Sequence, residues 1–229
     1  MDANHLGGLV PSQTRREDQE APRILRPAVL TGMSSFDIAI PVILKHEGGW
    51  VDDPHDLGGE TNFGISTLII QRMQRDDKLD DAGMEKLLGI KAGTLYKQDY
   101  LKIENGFTKD SAAKIYRKYF WDQPGYAGIA DQNLATKVMD IAVNCGEPRA
   151  ERMLQLAVNS LGGLQVQVDG NMGPRTLVAV NTSDAKKLIL ALKEEQVKYY
   201  NGIAVARPAN AKFLPGWLKR ANWIDPTCW

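Results

Sequence analysis

Between His46 and Ile65 the chain reads HEGGWVDDPHDLGGETNFGI, which gathers Glu47, Asp52, Asp53, Asp56, Glu60 and two histidines within 20 positions. It is the densest cluster of reactive groups in the sequence. A zinc site would need HExxH spacing, which sets two histidines on one helix face, but position 50 is Trp50 and Gly48-Gly49 stops the helix first. A calcium loop would need oxygen ligands at alternating positions, which Asp52 to Asp56 does not offer. No metal and no cofactor is therefore expected. Turn chemistry accounts for Asp52, Asp53 and His55, as short polar side chains bond their own backbone in a loop rich in Pro and Gly.

Glu47 resists that account. A carboxylate in the last turn of a helix faces the negative end of the helix dipole, and Ile43 and Leu44 lie one turn back. Field and desolvation both disfavour its charged form. Asp56, nine positions on and past the glycine pair, lies in a polar turn where it should stay ionised. Glycosidic cleavage uses such a split: a protonated carboxyl serves the leaving oxygen, and an ionised group directs water or steadies the sugar cation.

Several elements must hold these groups. Ser34-Ser35 signals a helix start, followed by Phe36, Ile38, Ala39, Ile40, Val42, Ile43 and Leu44, an apolar set that implies burial all round. Pro41 within it implies a kink or a later start. Residues 50–66 read as a loop and a short hairpin around FGI. Helical patterns follow at about 66–75, 82–101, from Thr108, at about 131–143, 148–160 and 174–181, and at 184–201 behind Ser183-Asp184. VDGNMGPRT at 168–176 is a glycine-punctuated turn. The sum is an α+β, mostly helical chain with a small hairpin after the first core helix. We expect a flexible segment over 1–33, a catalytic module over 34–125 and a helical module over 126–229.

With 28 Lys+Arg against 28 Asp+Glu in 229 residues, the chain lacks the cationic excess of a nucleic-acid binder. No apolar run is long enough for a membrane span, and residues 1–30 lack the core of a secretory signal. Export would then need other machinery. Cys145 and Cys228 show no ligand spacing and read as independent thiols.

The motif around Glu47 resembles glycoside hydrolase family 108. The residues that carry the likeness are Phe36, Ala39, Pro41, Leu44-Lys45, Glu47-Gly48-Gly49-Trp50-Val51, Pro54, Asp56, Gly58-Gly59, Thr61-Asn62 and Gly64-Ile65. The resemblance implies a lysozyme-like fold, cleavage of the link between N-acetylmuramic acid and N-acetylglucosamine in peptidoglycan, and Glu47 as catalytic acid. A more distant likeness to phage-type lysozymes, with acid, Asp and Thr in series, implies that Asp56 and either Thr61 or Asn62 hold the attacking water, with Glu60 a competitor to Asp56. DIAVNCG at 140–146, AxxxLQxA at 150–157, VDGNMGPRT and GWLKR at 216–220 resemble the C-terminal peptidoglycan-binding domain of the same family. Partners implied are glycan strands of peptidoglycan and a holin or secretion path for release into the periplasm or wall, with the chain a monomer.

Asp140 and Asn144 stand one helical turn apart near a helix end. They could line a sugar cleft or serve internal hydrogen bonding, and the sequence supports both. Trp50 and Trp121 offer flat faces to a sugar, whereas Tyr116 and Tyr119, at helical spacing, and Trp217 and Trp223 read as packing. A non-catalytic wall binder and a lytic transglycosylase using Glu47 alone are the rival functions.

Overall fold

The computed structural model describes residues 33–46, 61–93, 101 and 106–223, so Glu47, Trp50, Asp56, Glu60, Cys228 and the segment over 1–32 lie outside the described residues. Residues 31–229 form one compact unit. At its centre is α5, Gln132–Cys145, in which every residue from Leu134 to Ala142 is buried. Asp131 starts it by accepting the Leu134 N–H at 2.8 Å. A helix buried on all sides has no wet face, so its polar side chains must find partners inside. Thr136 solves this locally, donating to the Gln132 carbonyl at 2.8 Å.

The first helix, α1, is Phe36–His46 and packs on α5. It is not buried all round. Phe36, Ala39 and Ile43 face the core at helical spacing, while Ile38 on the opposite side is 59% exposed. Pro41 neither ends nor delays the helix; it lies on the exposed side, where water can take the carbonyl its missing N–H would have bonded. Ser34 does not cap α1, because its buried hydroxyl donates to the Tyr126 carbonyl at 3.1 Å.

The hairpin is small: β1, Thr61–Asn62, pairs antiparallel with β2, Ile65–Ser66, in the register Thr61 to Ser66 and Asn62 to Ile65. Its two turn residues, Phe63 and Gly64, both have positive φ, +49° and +75°. That geometry matches the sheet twist and suits Gly64, but it strains Phe63. Two contacts hold Phe63 in place: its ring stacks on Phe107 at 6.4 Å, and its carbonyl accepts the Tyr116 hydroxyl at 2.8 Å.

Ser66 then caps α2, Thr67–Asp77, and Asp80 caps α3, Asp81–Leu88. α3 is shorter than the sequence pattern over 82–101 implied, because Gly89 takes a left-handed φ of 72° and closes it. Thr108 and Ser111 form a reciprocal cap on α4, Lys109–Arg117, which runs into a π-helical turn, Lys118–Asp122, with Trp121 buried against the edge of Phe36. In the second half come α6, Glu147–Ser160, α7, Pro174–Thr182, α8, Ala185–Ala206, and α9, Leu214–Ala221. Pro148 is thus the second residue of α6, not the first. The fold is the mostly helical α+β arrangement expected, with its hairpin after the first core helix. No helix among the described residues is long and apolar enough to cross a membrane.

Candidate active site

α9 is short, and an eight-residue helix needs its ends held to persist. α5 holds it through two buried side chains. Lys137, 2% exposed, points its ammonium at the carbonyls of Arg220, Ala221 and Trp223 at 3.4, 3.2 and 3.2 Å, where α9 leaves carbonyls without helical partners. Burial pulls the Lys137 pKa down to about 8, with Asp140 partly opposing that. One turn on, Asp140 is 0% exposed and receives Nε and Nη2 of Arg220 at 3.1 and 3.0 Å.

This clamp fixes one wall of a trough of about 470 Å³. Trp217, Arg220 and Trp223 line that wall, and Lys45 from the last turn of α1 and Asn144 from the end of α5 line the rest with Gly216 and Lys219. Tyr200 braces both sides: its ring stacks on Trp217 at 5.5 Å, and its hydroxyl donates to the side-chain amide oxygen Oδ1 of Asn144. Burial keeps that phenol protonated far above its usual range. A second hollow, about 490 Å³, shares Trp217 and is lined by Arg149, Tyr199 and Arg207, with the Arg149 guanidinium 4.7 Å over the Tyr199 ring. The described lining of both hollows contains five cations and no carboxylate. Aromatic faces among cationic donors suit a sugar polymer that carries carboxylates.

Residues 40–146 match the family model described as glycosyl hydrolase 108. Those residues are a glycosyl hydrolase 108 domain. Residues 149–222 match a model described as a predicted peptidoglycan domain. The solved structure of SagA from Brucella abortus is 27% identical, over 81% of this chain and 88% of that chain, with a TM-score of 0.59. No curated protein matches the chain. The chain is a glycoside hydrolase, and the pairing of the two domains makes peptidoglycan the material it acts on. The trough draws on both: Lys45 and Asn144 come from the glycosyl hydrolase 108 domain, Trp217 and Arg220 from the peptidoglycan domain.

Several residues singled out in the sequence can be placed on this frame. Asn144 is exposed, with its amide nitrogen free of partners among the described residues. Asp140 does not line the cleft, contrary to the sugar-contact reading, because it is wholly buried and held by Arg220. Its contact with the trough runs through that guanidinium. Asn62 is also withdrawn from solvent, its amide donating to the Leu101 carbonyl at 2.6 Å, opposite Ile65. Thr61, on the other face of the strand, is half-buried. Glu47, Trp50, Asp56 and Glu60 lie outside the described residues. Tyr116 and Tyr119 are buried, as packing implied. Trp217 and Trp223 line the trough besides packing: with Arg220 they recur every three positions, Trp217 and Arg220 on α9 and Trp223 two residues past its end, a spacing visible in the sequence.

Cys145 is half-buried and burial pushes its thiol up, the profile of an unreactive thiol. No group of three His, Cys, Asp or Glu side chains that could hold a metal ion occurs among the described residues.

Proposed function

We propose that the chain is an N-acetylmuramidase, with Glu47 donating the proton to the leaving oxygen of the glycosidic bond. The observation that carries this is the trough at the end of α1: Lys45 lines it, and Glu47 follows Lys45 by two residues. α1 runs to His46, so the negative end of its dipole adjoins the residue that follows, and a carboxyl there favours its proton. Asp56 with Thr61 orients water on the opposite face of the sugar, which inverts the anomeric centre. The burial of Asn62 favours Thr61 over Asn62 in that role, and Glu60 and Trp50 contact the glycan nearby. Asn144, Trp217 and Arg220 grip the strand, and the surplus of cations suits the carboxylate of a muramyl residue. The protein works as a monomer on the wall after release by a holin or a dedicated secretion path.

The test is to digest purified peptidoglycan and read the new ends by mass spectrometry. Reducing muramic ends support the reading; anhydro ends would make the protein a lytic transglycosylase, and no release a wall binder. Glu47→Gln should abolish release while sedimentation with cell walls persists, and a variant that still cleaves refutes the assignment.

A further inference from the structure

Among the hollows that the function above leaves unused, one coincides with the VDGNMGPRT motif. At the first turn of α6 lies a cavity of about 370 Å³, lined by Arg72 of α2, Tyr119 of the π turn, Glu147 and Glu151 of α6, and Asn171 and Met172 of the VDGNMGPRT turn. Gln155, 0% exposed, clamps that turn: its amide nitrogen donates to the Asp169 carboxylate at 2.8 Å and the Asn171 carbonyl at 3.0 Å, and its oxygen accepts the Gly170 N–H at 2.9 Å. Gly170 has φ +78°, and a Cβ there would meet the Pro148 carbonyl oxygen at 2.7 Å. The turn is therefore fixed against α6 as a wall of the cavity.

Inside, Tyr119 is 8% exposed, and its buried hydroxyl meets no partner among the described residues. A buried polar atom left so normally costs stability, which a ligand could recover. Glu151, 5% exposed, lies deeper on α6 than Glu147, whose carboxylate meets the half-exposed Arg72 guanidinium at 3.4 Å at the rim. Two carboxyls, a guanidinium and a hydroxyl without a partner complement a group that bears an ammonium and a carboxylate on one carbon.

We propose that this cavity binds the free amino-acid end of the diamino acid in a peptidoglycan stem peptide, its ammonium between Glu147 and Glu151, its carboxylate on Arg72 and the Tyr119 hydroxyl bonding the same end. The proposal rests on the peptidoglycan reading and names a second part of the substrate, apart from the glycan. Burial chiefly, with Glu147 on its own helix and Asp169 on the turn, raises the Glu151 pKa to about 7, while the Met172 N–H and the Tyr126 hydroxyl at 3.5 Å oppose this. Tyr119 and Arg72 line the cavity as well, Arg72 being shared with Asp76 at 3.4 Å, while Arg152 bonds the Asp169 carbonyl at 3.2 Å and the Lys118 ammonium lies 5.1 Å over the Tyr119 ring. An arriving ammonium favours the ionised form, so binding at pH 6 releases a proton and binding at pH 8 does not.

The experiment titrates the full chain with the soluble tripeptide L-alanyl-γ-D-glutamyl-meso-diaminopimelate, by calorimetry and by backbone amide NMR. The expected result is shifts at the 170–173 turn, affinity lower by about tenfold in Glu151→Gln, and a smaller loss in Tyr119→Phe without loss of thermal stability, since that hydroxyl meets no partner among the described residues of the free protein. The peptide acetylated on its side-chain amine should not bind. Absence of binding at millimolar tripeptide, unchanged affinity in both variants, or equal binding of the acetylated peptide overturns the proposal. The probe carries no glycan and the readout is not turnover, so failure here leaves the muramidase reading intact, and failure of glycan cleavage leaves this site intact.

Discussion

Replacing Lys137 by methionine keeps the shape of the side chain and removes the ammonium that closes α9. The three hydrogen bonds this ammonium donates, at 3.2–3.4 Å, come from a charged group and are worth about 1.5–3 kcal/mol each when well formed. Against them stands the burial of the charge itself: a pKa drawn from 10.5 to about 8 corresponds to on the order of 3 kcal/mol. The net expected loss is then about 1.5–6 kcal/mol, read as a lower midpoint in urea. The pH dependence carries a sign. Between pH 8 and 10.5 the unfolded chain still holds the proton that the folded chain has given up, so the contribution of Lys137 to stability rises over that window, and the rise is absent from Lys137→Met. Because α9 carries Trp217 and Arg220, the variant should raise KM for peptidoglycan fragments by roughly tenfold and leave kcat within about twofold. A variant as stable as the parent at pH 7, with unchanged KM and the same alkaline profile, would refute the reasoning.

Glu151 predicts the opposite slope in acid. Its folded pKa of about 7 stands above the unfolded value near 4.5, so its stabilising contribution is complete below pH 4.5 and gone above pH 7; thermal melts across that range should show the fall, and Glu151→Gln should flatten it. Gly170→Ala forces a methyl to 2.7 Å from a backbone oxygen at positive φ, and should lower unfolding free energy by about 2–4 kcal/mol in urea titration; a change under about 0.5 kcal/mol would mean the turn is free to shift.

Signals confined to a few neighbouring residues were legible in the sequence. TNFGI folds as the hairpin it spells, Thr108 and Asp184 cap their helices, and Pro174 opens α7, because each depends on contacts within about four positions. What failed depended on distant partners. Ser34 looks like a cap, but a carbonyl 92 positions away takes its hydroxyl. The apolar count of α1 suggested full burial, yet only one stripe of that helix meets the core. Asp140 and Asn144 share a helix face in sequence, but Arg220, 80 positions on, decides that one is sealed inside and the other left at the surface. No local pattern records that pairing. Trp217 and Trp223 were recoverable from their three-residue rhythm with Arg220, provided α9 was known to close the trough.

The trough has its two walls at opposite ends of the described chain, Lys45 on one side and Trp217, Arg220 and Trp223 on the other. During synthesis the first wall leaves the ribosome long before the second exists. A polypeptide that stops short of α9 therefore lacks the second wall to hold a glycan against, and the enzyme can engage its polymer only once α9 has docked. An activity hazardous to the cell that makes it would thus be withheld until the residues of α9 have been made, by the order in which the chain is synthesised.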